Sequence, residues 1–491
     1  MEKIDFITLN YQHKTIKILH SNQMSHLISL ITNKPDWQTK INNKAIVSKW
    51  KAELLTQSIS SFVVDKVIEL LQKNIQTGAK EYEDDDEYNW VLPIGHSAEQ
   101  LGLGCLDCDC QICKEYEHYD PDDYEDEDED EKPIFSDECL CKDNLKEKKK
   151  EFLKKHILMN DDVIDEDLRD KFIAEVEAVK KSKPTDYHPN SNNMVVDIVH
   201  PSLNCFVKGL TKLNDGVAVP PITSIFQWIP TEFRIKTGKS GGKNVPQTSF
   251  IKTDIMSPIN NLDRQKFPSL YNSIEDIFSC FVPRFRHVLD KFDVKVGSNL
   301  QVIVKIAETV LTPDKPLFNS GSWHLEGVPA EQIIATGIYY YKTENISDSY
   351  LQFRTTMSEH SDYNYPQSCN GWFELHYGLG GNDKAYNGTD TDIYLGKVRT
   401  KQDGLLVFPN NLQHCVSDFE LVDKTKPGVR SILVFFLINP SVNTISTKDI
   451  KDNTMSLQDA KLYRELLMFE RKYEMKDQSN FFERSFSLCE H

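Results

Sequence analysis

Three side chains in this sequence could together hold a metal ion: His324, Glu326 and His414. His324 and Glu326 stand two residues apart, so an extended strand would point both side chains to the same face. Two histidines and one carboxylate that occupy one face of a metal, with the opposite face open, form the ligand set of non-haem Fe(II) oxygenases. Because a His-x-Glu pair also arises by chance in long chains, the neighbouring sequence must support the assignment.

One arginine stands at the entrance of the apolar run that follows His414. This residue, Arg430, precedes the hydrophobic stretch 432–438. An arginine fork suits a carboxylate, and 2-oxoglutarate carries one at the end remote from its iron-chelating keto acid. Arg430 could instead pair with a nearby acid, Asp423 or Glu420. Arg354 and Arg399 are substitute candidates for the anchoring role.

A second candidate metal site is a cluster of six cysteines: Cys105, Cys108, Cys110, Cys113, Cys139 and Cys141. The first four form C-x2-C-x-C-x2-C. Two C-x2-C pairs that hold one zinc ion normally stand a dozen or more residues apart, so two of these thiolates joined by Cys139 and Cys141 are easier to build into a tetrahedron. The cluster therefore predicts either a Zn²⁺ site or a loosely ordered, thiol-rich insertion.

The charge of the 491-residue chain is concentrated in two acidic segments. Its formal net charge is −18, and residues 81–87 and 115–131 contain six and twelve acids without any Lys or Arg. The remainder is formally neutral and offers no basic surface to nucleic-acid phosphates. We therefore expect no nucleic-acid partner.

The first residues lack the basic and apolar regions of a signal peptide, and no apolar run approaches the length of about 20 residues that a membrane helix needs. We therefore expect a cytoplasmic or nuclear protein without a membrane partner. In such a compartment the cysteines should be thiols or metal ligands.

The hydrophobic pattern divides the chain into five regions. Residues 1–95 are predicted to be mainly helical, with one or two helices over 44–71, and residues 96–142 to form a Cys-rich, acidic and partly disordered insertion. Residues 143–300 should supply helical and β support, residues 301–450 the main β domain, and residues 451–491 a C-terminal helix and tail. Helices are predicted at 143–157, 165–181, 273–291 and 457–473. In the last helix, Ser456 with Asp459 predicts a capping box, and an apolar stripe should cover one sheet face: Leu462, Leu466, Leu467 and Phe469.

After residue 300 the sequence is typical of β-structure. Short apolar runs separated by turn residues predict strands at 301–307, 333–341, 351–354, 372–377, 404–408 and 429–438. Many short strands preceded by a few helices favour an α+β fold with a double-sheet jelly roll, or double-stranded β-helix, flanked by helices.

Six short motifs carry a resemblance to a known family. They are DYHPNS (186–191), VDIVHPSL (196–203), FQWIP (226–230), INNL (259–262), WHLEG (323–327) and FPNNLQH (408–414). From about residue 40 to the end, apart from the Cys-rich insertion, the chain resembles the family filed as domain of unknown function 4246. Members of that family resemble 2-oxoglutarate/Fe(II)-dependent oxygenases in their second half.

The resemblance implies a function. His324, Glu326 and His414 would bind Fe(II), Arg430 would hold 2-oxoglutarate, and the protein would be a dioxygenase that hydroxylates an unknown substrate, either a protein side chain or a small molecule. The alternative is a non-catalytic jelly-roll binding or scaffold protein with a zinc-binding Cys-rich insertion, since a fold does not determine a function.

Overall fold

The protein is known as a computed structural model, which describes residues 31, 34, 37–55, 68, 72, 140–217, 225–240, 248–289, 292, 294–357, 389–390, 392–451, 455–482 and 485–486. Its backbone groups into two compact units. The first comprises Met1–Asn89 with Ile222–Ile225, and the second Trp90–Pro221 with Phe226–His491.

The described part of the first unit is helical. It contains α1 (Trp37–Lys40) and α2 (Lys44–Leu55). Asn43 caps α2, since its side-chain oxygen accepts hydrogen bonds from the backbone N–H groups of Ala45 (3.1 Å) and Ile46 (3.4 Å). The predicted helix over 44–71 is confirmed as far as Leu55, and most of its remainder lies outside the described residues.

The second unit is built on strands. In chain order they are β1 (Leu158–Asn160), β2 (Val195–Val199), β3 (Phe206–Val207), β4 (Phe226–Gln227), β5 (Thr231–Ser240), β6 (Thr248–Ile255), β7 (Asn299–Leu311), β8 (Leu317–Phe318), β9 (Ile333–Glu344), β10 (Ser349–Thr356), β11 (Thr389–Asp390), β12 (Asp392–Thr400), β13 (Leu405–Pro409), β14 (Gln413–Val416), β15 (Phe419–Glu420), β16 (Gly428–Ile438) and β17 (Ser485–Phe486).

These strands form a jelly roll of two antiparallel sheets. The large sheet has the order β1-β13-β9-β16-β7-β5-β6, with β2 also paired to β7, and the small sheet has the order β12-β10-β14. A backbone bridge between His324 and His414 places the segment after β8 beside β14. From β9 onward the chain crosses between the two sheets: β9, β13 and β16 lie in the large sheet, and β10, β12 and β14 lie in the small one. This crossing between two sheets is the jelly-roll connection that the sequence predicted.

Three helices pack around the sheets: α3 (Leu140–His156), α4 (Glu166–Lys181) and α5 (Pro268–Val288). Helices α4 and α5 contact the large sheet, whereas α3 contacts α5 and strand β12 of the small sheet. The side chain of Asp165 caps α4 by accepting from Asp167 N. Phe278 and Phe281 of α5 pack on Phe435 of β16, with ring centroids 4.9 and 5.2 Å apart.

A glycine lets α5 approach the sheet. A Cβ atom at Gly337 of β9 would lie 2.6 Å from the ring of Phe281, closer than real side-chain contacts allow. The absent side chain therefore permits the close helix-to-sheet contact that buries the core cluster.

The C-terminal helix α6 (Leu457–Phe482) begins at the predicted capping box, in which Asp459 N donates to Ser456 Oγ (3.1 Å) and Ser456 Oγ donates to the Asp459 carboxylate (2.9 Å). The expected apolar stripe is partly wrong. Phe469 is 53% exposed, whereas Ala460, Tyr463 and Leu467 are buried together with Arg464.

Most strands predicted after residue 300 are confirmed within a few residues. Helix α5 is confirmed and begins five residues before its predicted start. The sequence did not predict strands β5, β6 and β12, because their few apolar residues produce only a weak alternation of apolar and polar side chains. The predicted strand at 372–377 lies outside the described residues. Five of the six cysteines of the predicted cluster also lie outside them, and of Cys141 only the backbone is described.

Candidate metal centre

Backbone pairing brings the two separated histidines together. His414 lies on β14, opposite Phe353 of β10. The N–H of His324 donates to the carbonyl of His414 (3.2 Å), and the N–H of His414 donates to the carbonyl of His324 (3.0 Å). Glu326 follows two residues after His324 and, as the alternation of an extended chain predicts, lies on the same side.

The donor atoms of these three residues converge. Glu326 Oε1 lies 3.7 Å from His324 Nε2 and 3.4 Å from His414 Nε2, and all three ligand atoms lie within 4.8 Å of one another. Adjacent ligands of an octahedral ion with bonds of about 2.1 Å lie about 3 Å apart. The two distances to Glu326 exceed this spacing by roughly half an ångström, so the carboxylate oxygen lies close to ligand spacing from both imidazole nitrogens.

The hydrogen bond of His324 sets the right tautomer for a ligand. Its Nδ1 lies 2.8 Å from the carbonyl oxygen of Ser322, which can only accept, so Nδ1 carries the proton. The lone pair is then on Nε2, which faces Glu326. Such a hydrogen bond on the far nitrogen is the usual support of a metal-binding histidine.

The electrostatics of the three residues are strongly coupled. Burial acts to raise the pKa of Glu326, but hydrogen bonds from His324 and His414 outweigh it and hold the pKa well below its usual range. Burial acts to lower the pKa of His324, and the Glu326 carboxylate reverses this effect, so the pKa is raised. Burial and the charge of His324 together lower the pKa of His414. A metal ion would therefore replace the proton that His324 shares with Glu326.

One residue outside the ligand set holds Glu326 from both sides. The side-chain oxygen of Asn410 accepts from Glu326 N (2.9 Å), and its amide donates to Glu326 O (2.9 Å) and Ile333 O (3.0 Å). Asn410 thus fixes the backbone that presents the carboxylate. In the sequence, the only signal for Asn410 was its position in the FPNNLQH motif. The motif gave no reason to select Asn410 over its neighbours.

Arg430 is buried without an acidic partner. Its side chain is 5% exposed, its guanidinium carbon lies 4.9 Å from the centre of the Tyr340 ring, and no carboxylate of the described residues lies within 4.0 Å of it. Its Nε has no hydrogen-bond partner among the residues that the structure describes. Burial lowers the pKa of Arg430, which expresses the cost of this isolated charge.

The other candidate partners and anchors of the Arg430 site are engaged elsewhere. Asp423 pairs with Lys426 (2.9 Å) and Glu420 with Lys424 (3.0 Å), so neither is the counterion of Arg430. Arg399 is exposed and pairs with Asp348 (2.5 Å).

Arg354 is likewise committed. It donates to Gln413 (2.7 Å), lies 3.3 Å from the Asp392 carboxylate and packs over the ring of Trp323.

The structure also reveals a second His/carboxylate group, formed by His188, Asp197 and His200, which the sequence analysis did not single out. His188 Nδ1 lies 3.0 Å and His200 Nε2 3.9 Å from the Asp197 carboxylate. Ser202 N donates to His200 Nδ1 (3.2 Å), so neutral His200 carries its proton on Nε2. That nitrogen has no lone pair to offer. All three residues belong to motifs at 186–203, which were the available signal.

Two cations further disfavour an ion at the second group. Arg464 Nη1 lies 3.6 Å from the Asp197 carboxylate, and the charge of Lys305 also acts on Asp197 and His200. The negative charge is therefore already balanced by protein side chains. The group is a buried polar network that joins β2 to α6.

No helix within the described residues combines the length and the apolar composition needed to cross a membrane.

The fold and the arrangement of the three ligands define a jelly-roll protein with a candidate two-histidine, one-carboxylate centre. The chain belongs to the family described as "Protein of unknown function (DUF4246)", whose model matches residues 136–298 and 291–452. A second model, described as "Domain of unknown function DUF4246, N-terminal", matches residues 7–53. No curated protein matches the chain.

Several solved structures are similar to the chain at low identity. "IDO from Bacillus thuringiensis" is 11% identical, with 59% of this chain and 93% of that chain covered and a TM-score of 0.28. A protein of the 2OG-Fe(II) oxygenase family from Burkholderia pseudomallei is 9% identical, with coverages of 61% and 93% and a TM-score of 0.27.

A prolyl hydroxylase from Trichoplax adhaerens, in complex with a peptide fragment of hypoxia inducible factor, is 10% identical, with coverages of 60% and 90% and a TM-score of 0.26. Likenesses at this level say nothing about the activity or substrate of this chain.

Proposed function

We propose that this protein is a 2-oxoglutarate- and Fe(II)-dependent dioxygenase that hydroxylates a protein side chain or a small molecule. The observation that carries the proposal is the convergence of His324 Nε2, His414 Nε2 and Glu326 Oε1 within 4.8 Å. This donor set suits Fe(II) and leaves three of six octahedral positions for non-protein ligands.

The donor set fits the metal in its geometry, and metal binding would displace the proton that the raised pKa of His324 retains beside Glu326. His324 offers Nε2 because Ser322 holds its other nitrogen, His414 is favoured in its neutral form, and Glu326 is favoured as an anion. Bound Fe(II) with 2-oxoglutarate would supply oxygen activation for insertion into a substrate C–H bond.

The residues of this chain would hold the metal ion and exclude water from it. His324, Glu326 and His414 would bind the metal, and Asn410 would keep Glu326 from rotating away. Phe408 packs on the His414 ring with centroids 4.8 Å apart and keeps water from that side.

Arg430 is the proposed anchor of the far carboxylate of 2-oxoglutarate. A buried guanidinium normally has a partner, and this one has no acid within 4.0 Å among the described residues. The hydroxyl of Tyr340, beside it, is also buried without a hydrogen-bond partner of normal geometry in the described part. A ligand carboxylate would satisfy both groups.

The test measures metal content and keto-acid turnover together. The purified protein is loaded anaerobically with Fe(II) and then supplied with O2 and 2-oxoglutarate, and succinate is measured. We expect Glu326→Ala to lose stoichiometric iron and all succinate formation, because it removes one of only three protein ligands.

Glu420→Ala, which removes an exposed carboxylate on β15, is the matched control and should retain both. Iron binding without succinate formation in the wild type would favour the non-catalytic alternative. Full iron content and turnover in Glu326→Ala would refute the proposed centre.

A further inference from the structure

The loop that follows Glu326 is shaped by one buried carboxylate, that of Glu331. Glu331 Oε2 accepts from Val328 N (3.0 Å), and Oε1 accepts from Trp228 N (2.5 Å). Gly327 has a φ of +73°, and a Cβ atom there would lie 2.5 Å from Glu331 Oε2. The chain therefore turns tightly around this carboxylate immediately after the metal ligand.

A cation from the C-terminal helix balances this carboxylate. The Glu331 side chain is fully buried, and Arg471 of α6 donates to its Oε1 through Nη2. The Arg471 guanidinium also lies 3.8 Å from the centre of the Trp228 ring, which stacks on Phe436 of β16 at 5.5 Å. Among the described residues no other basic group lies within 4.0 Å of Glu331.

We propose that Arg471, acting through Glu331, positions Glu326 for metal binding, so that the C-terminal helix is a working part of the metal centre. The inference rests on the proposed function, since it assumes that Glu326 is a metal ligand. The helix lies beyond residue 452, where the match to the family model ends.

The physical reason is the isolation of the buried charge. Without Arg471, the Glu331 carboxylate is buried without a counterion, and the cost of that isolated charge draws it towards water and weakens its hold on Val328 N and Trp228 N. The loop 327–331 is then free to shift, and Glu326 is anchored by Asn410 alone. A displaced ligand binds the metal more weakly although its own side chain is intact.

A second arginine of the same helix provides a matched control. Arg464 lies seven residues before Arg471, two turns along α6, and its Nη1 lies 2.7 Å from the Asp186 carboxylate. It docks the same helix against a partly buried acid, and its ion pairs go to Asp186 and Asp197 instead of Glu331.

The experiment measures the affinity of the full-length protein for Fe(II) under anaerobic conditions, by competition with a chromogenic chelator. We expect Arg471→Met to weaken Fe(II) binding about tenfold or more, the usual effect of losing a residue that supports a metal ligand. Arg464→Met should bind Fe(II) as the wild type does, even where its thermal midpoint falls. Arg471→Lys, which keeps the charge, should recover most of the affinity.

Equal losses in Arg471→Met and Arg464→Met would overturn the proposal, since helix docking alone would then explain both. Unchanged affinity in Arg471→Met would also overturn it. Should the methionine variants not fold, Arg471→Lys and Arg464→Lys give the same comparison, with a smaller loss of about threefold expected only for Arg471→Lys. Glu326→Ala tests the metal centre separately from the role of Arg471. If Glu326→Ala binds Fe(II) normally, the proposed centre is wrong. If Glu326→Ala loses Fe(II) but Arg471→Met binds it normally, the centre stands and only the role of Arg471 is wrong.

Discussion

The described part of the chain contains two groups of two histidines and one carboxylate, and they differ in the hydrogen bonds of one histidine in each group. In the first group His324 donates through Nδ1 to a carbonyl, which leaves Nε2 as a free donor to a metal. In the second group His200 accepts from Ser202 N, which places its proton on the nitrogen that faces Asp197. Residue types alone do not distinguish the groups; the hydrogen bonds on the far nitrogens of His324 and His200 do.

Charge reinforces the difference between the two groups. Asp197 has Arg464 within 3.6 Å, so its charge is balanced by the protein. Among the described residues, the only basic side chains within 4.0 Å of the Glu326 carboxylate are the two imidazoles. A divalent cation is therefore favoured at the first group and opposed at the second.

The largest expected effect comes from removing one histidine from each group. His414→Ala should abolish stoichiometric Fe(II) binding, whereas His200→Ala should retain it, because only His414 offers a nitrogen lone pair to the ion. Metal analysis of both variants, purified anaerobically and checked for folding by circular dichroism, makes the comparison. Loss of iron in His200→Ala alone would reverse our assignment of the two groups.

A second prediction compares the two buried arginines, Arg430 and Arg464. Arg430→Met should weaken 2-oxoglutarate binding roughly thirtyfold or more with iron retained, since truncating a buried partner of a carboxylate typically costs about 2 kcal/mol or more. Arg464→Met should leave this affinity unchanged and lower the stability of the fold instead, because Arg464 pairs with two carboxylates of the protein itself, Asp186 and Asp197. Titration of 2-oxoglutarate into the iron-loaded variants measures the effect. Normal affinity in Arg430→Met would move the anchor to another residue.

The smallest expected effect is the acid sensitivity of the second group. Burial acts to raise the pKa of Asp197, but His200 and His188 outweigh it and hold the pKa at about 2, below its usual 3.8. A depressed pKa contributes stability that is present above pH 4 and is lost as the pH falls through about 2. The full contribution is about 2 kcal/mol, and about 1 kcal/mol should be gone by pH 3.

Urea unfolding of the wild type and of Asp197→Asn between pH 6 and pH 3 tests this. The stability difference between the two proteins should shrink by about 1 kcal/mol towards pH 3. A difference that stays constant would mean that Asp197 is not held as an anion by its neighbours.

The sequence by itself determined the elements whose signals are local. Apolar runs separated by turns located the main strands of the jelly roll, and Ser456 with Asp459 located the start of α6. The spacing of His324 and Glu326 placed both side chains on one face, since alternation is a property of any extended chain. Strands with few apolar residues, such as β5 and β12, were not predicted, because their alternation of apolar and polar residues is too weak to give a local signal.

Only the tertiary structure decided which distant residues meet and what charge each one faces. The bridge between His324 and His414 depends on the pairing of segments ninety residues apart. Whether Arg430 was paired with Asp423 or Glu420 depended on the path of the loop before β16, and the balance of charge at the second His/carboxylate group depended on the docking of α6. Sequence spacing cannot state such contacts, because burial and hydrogen-bond geometry arise only when several elements pack together.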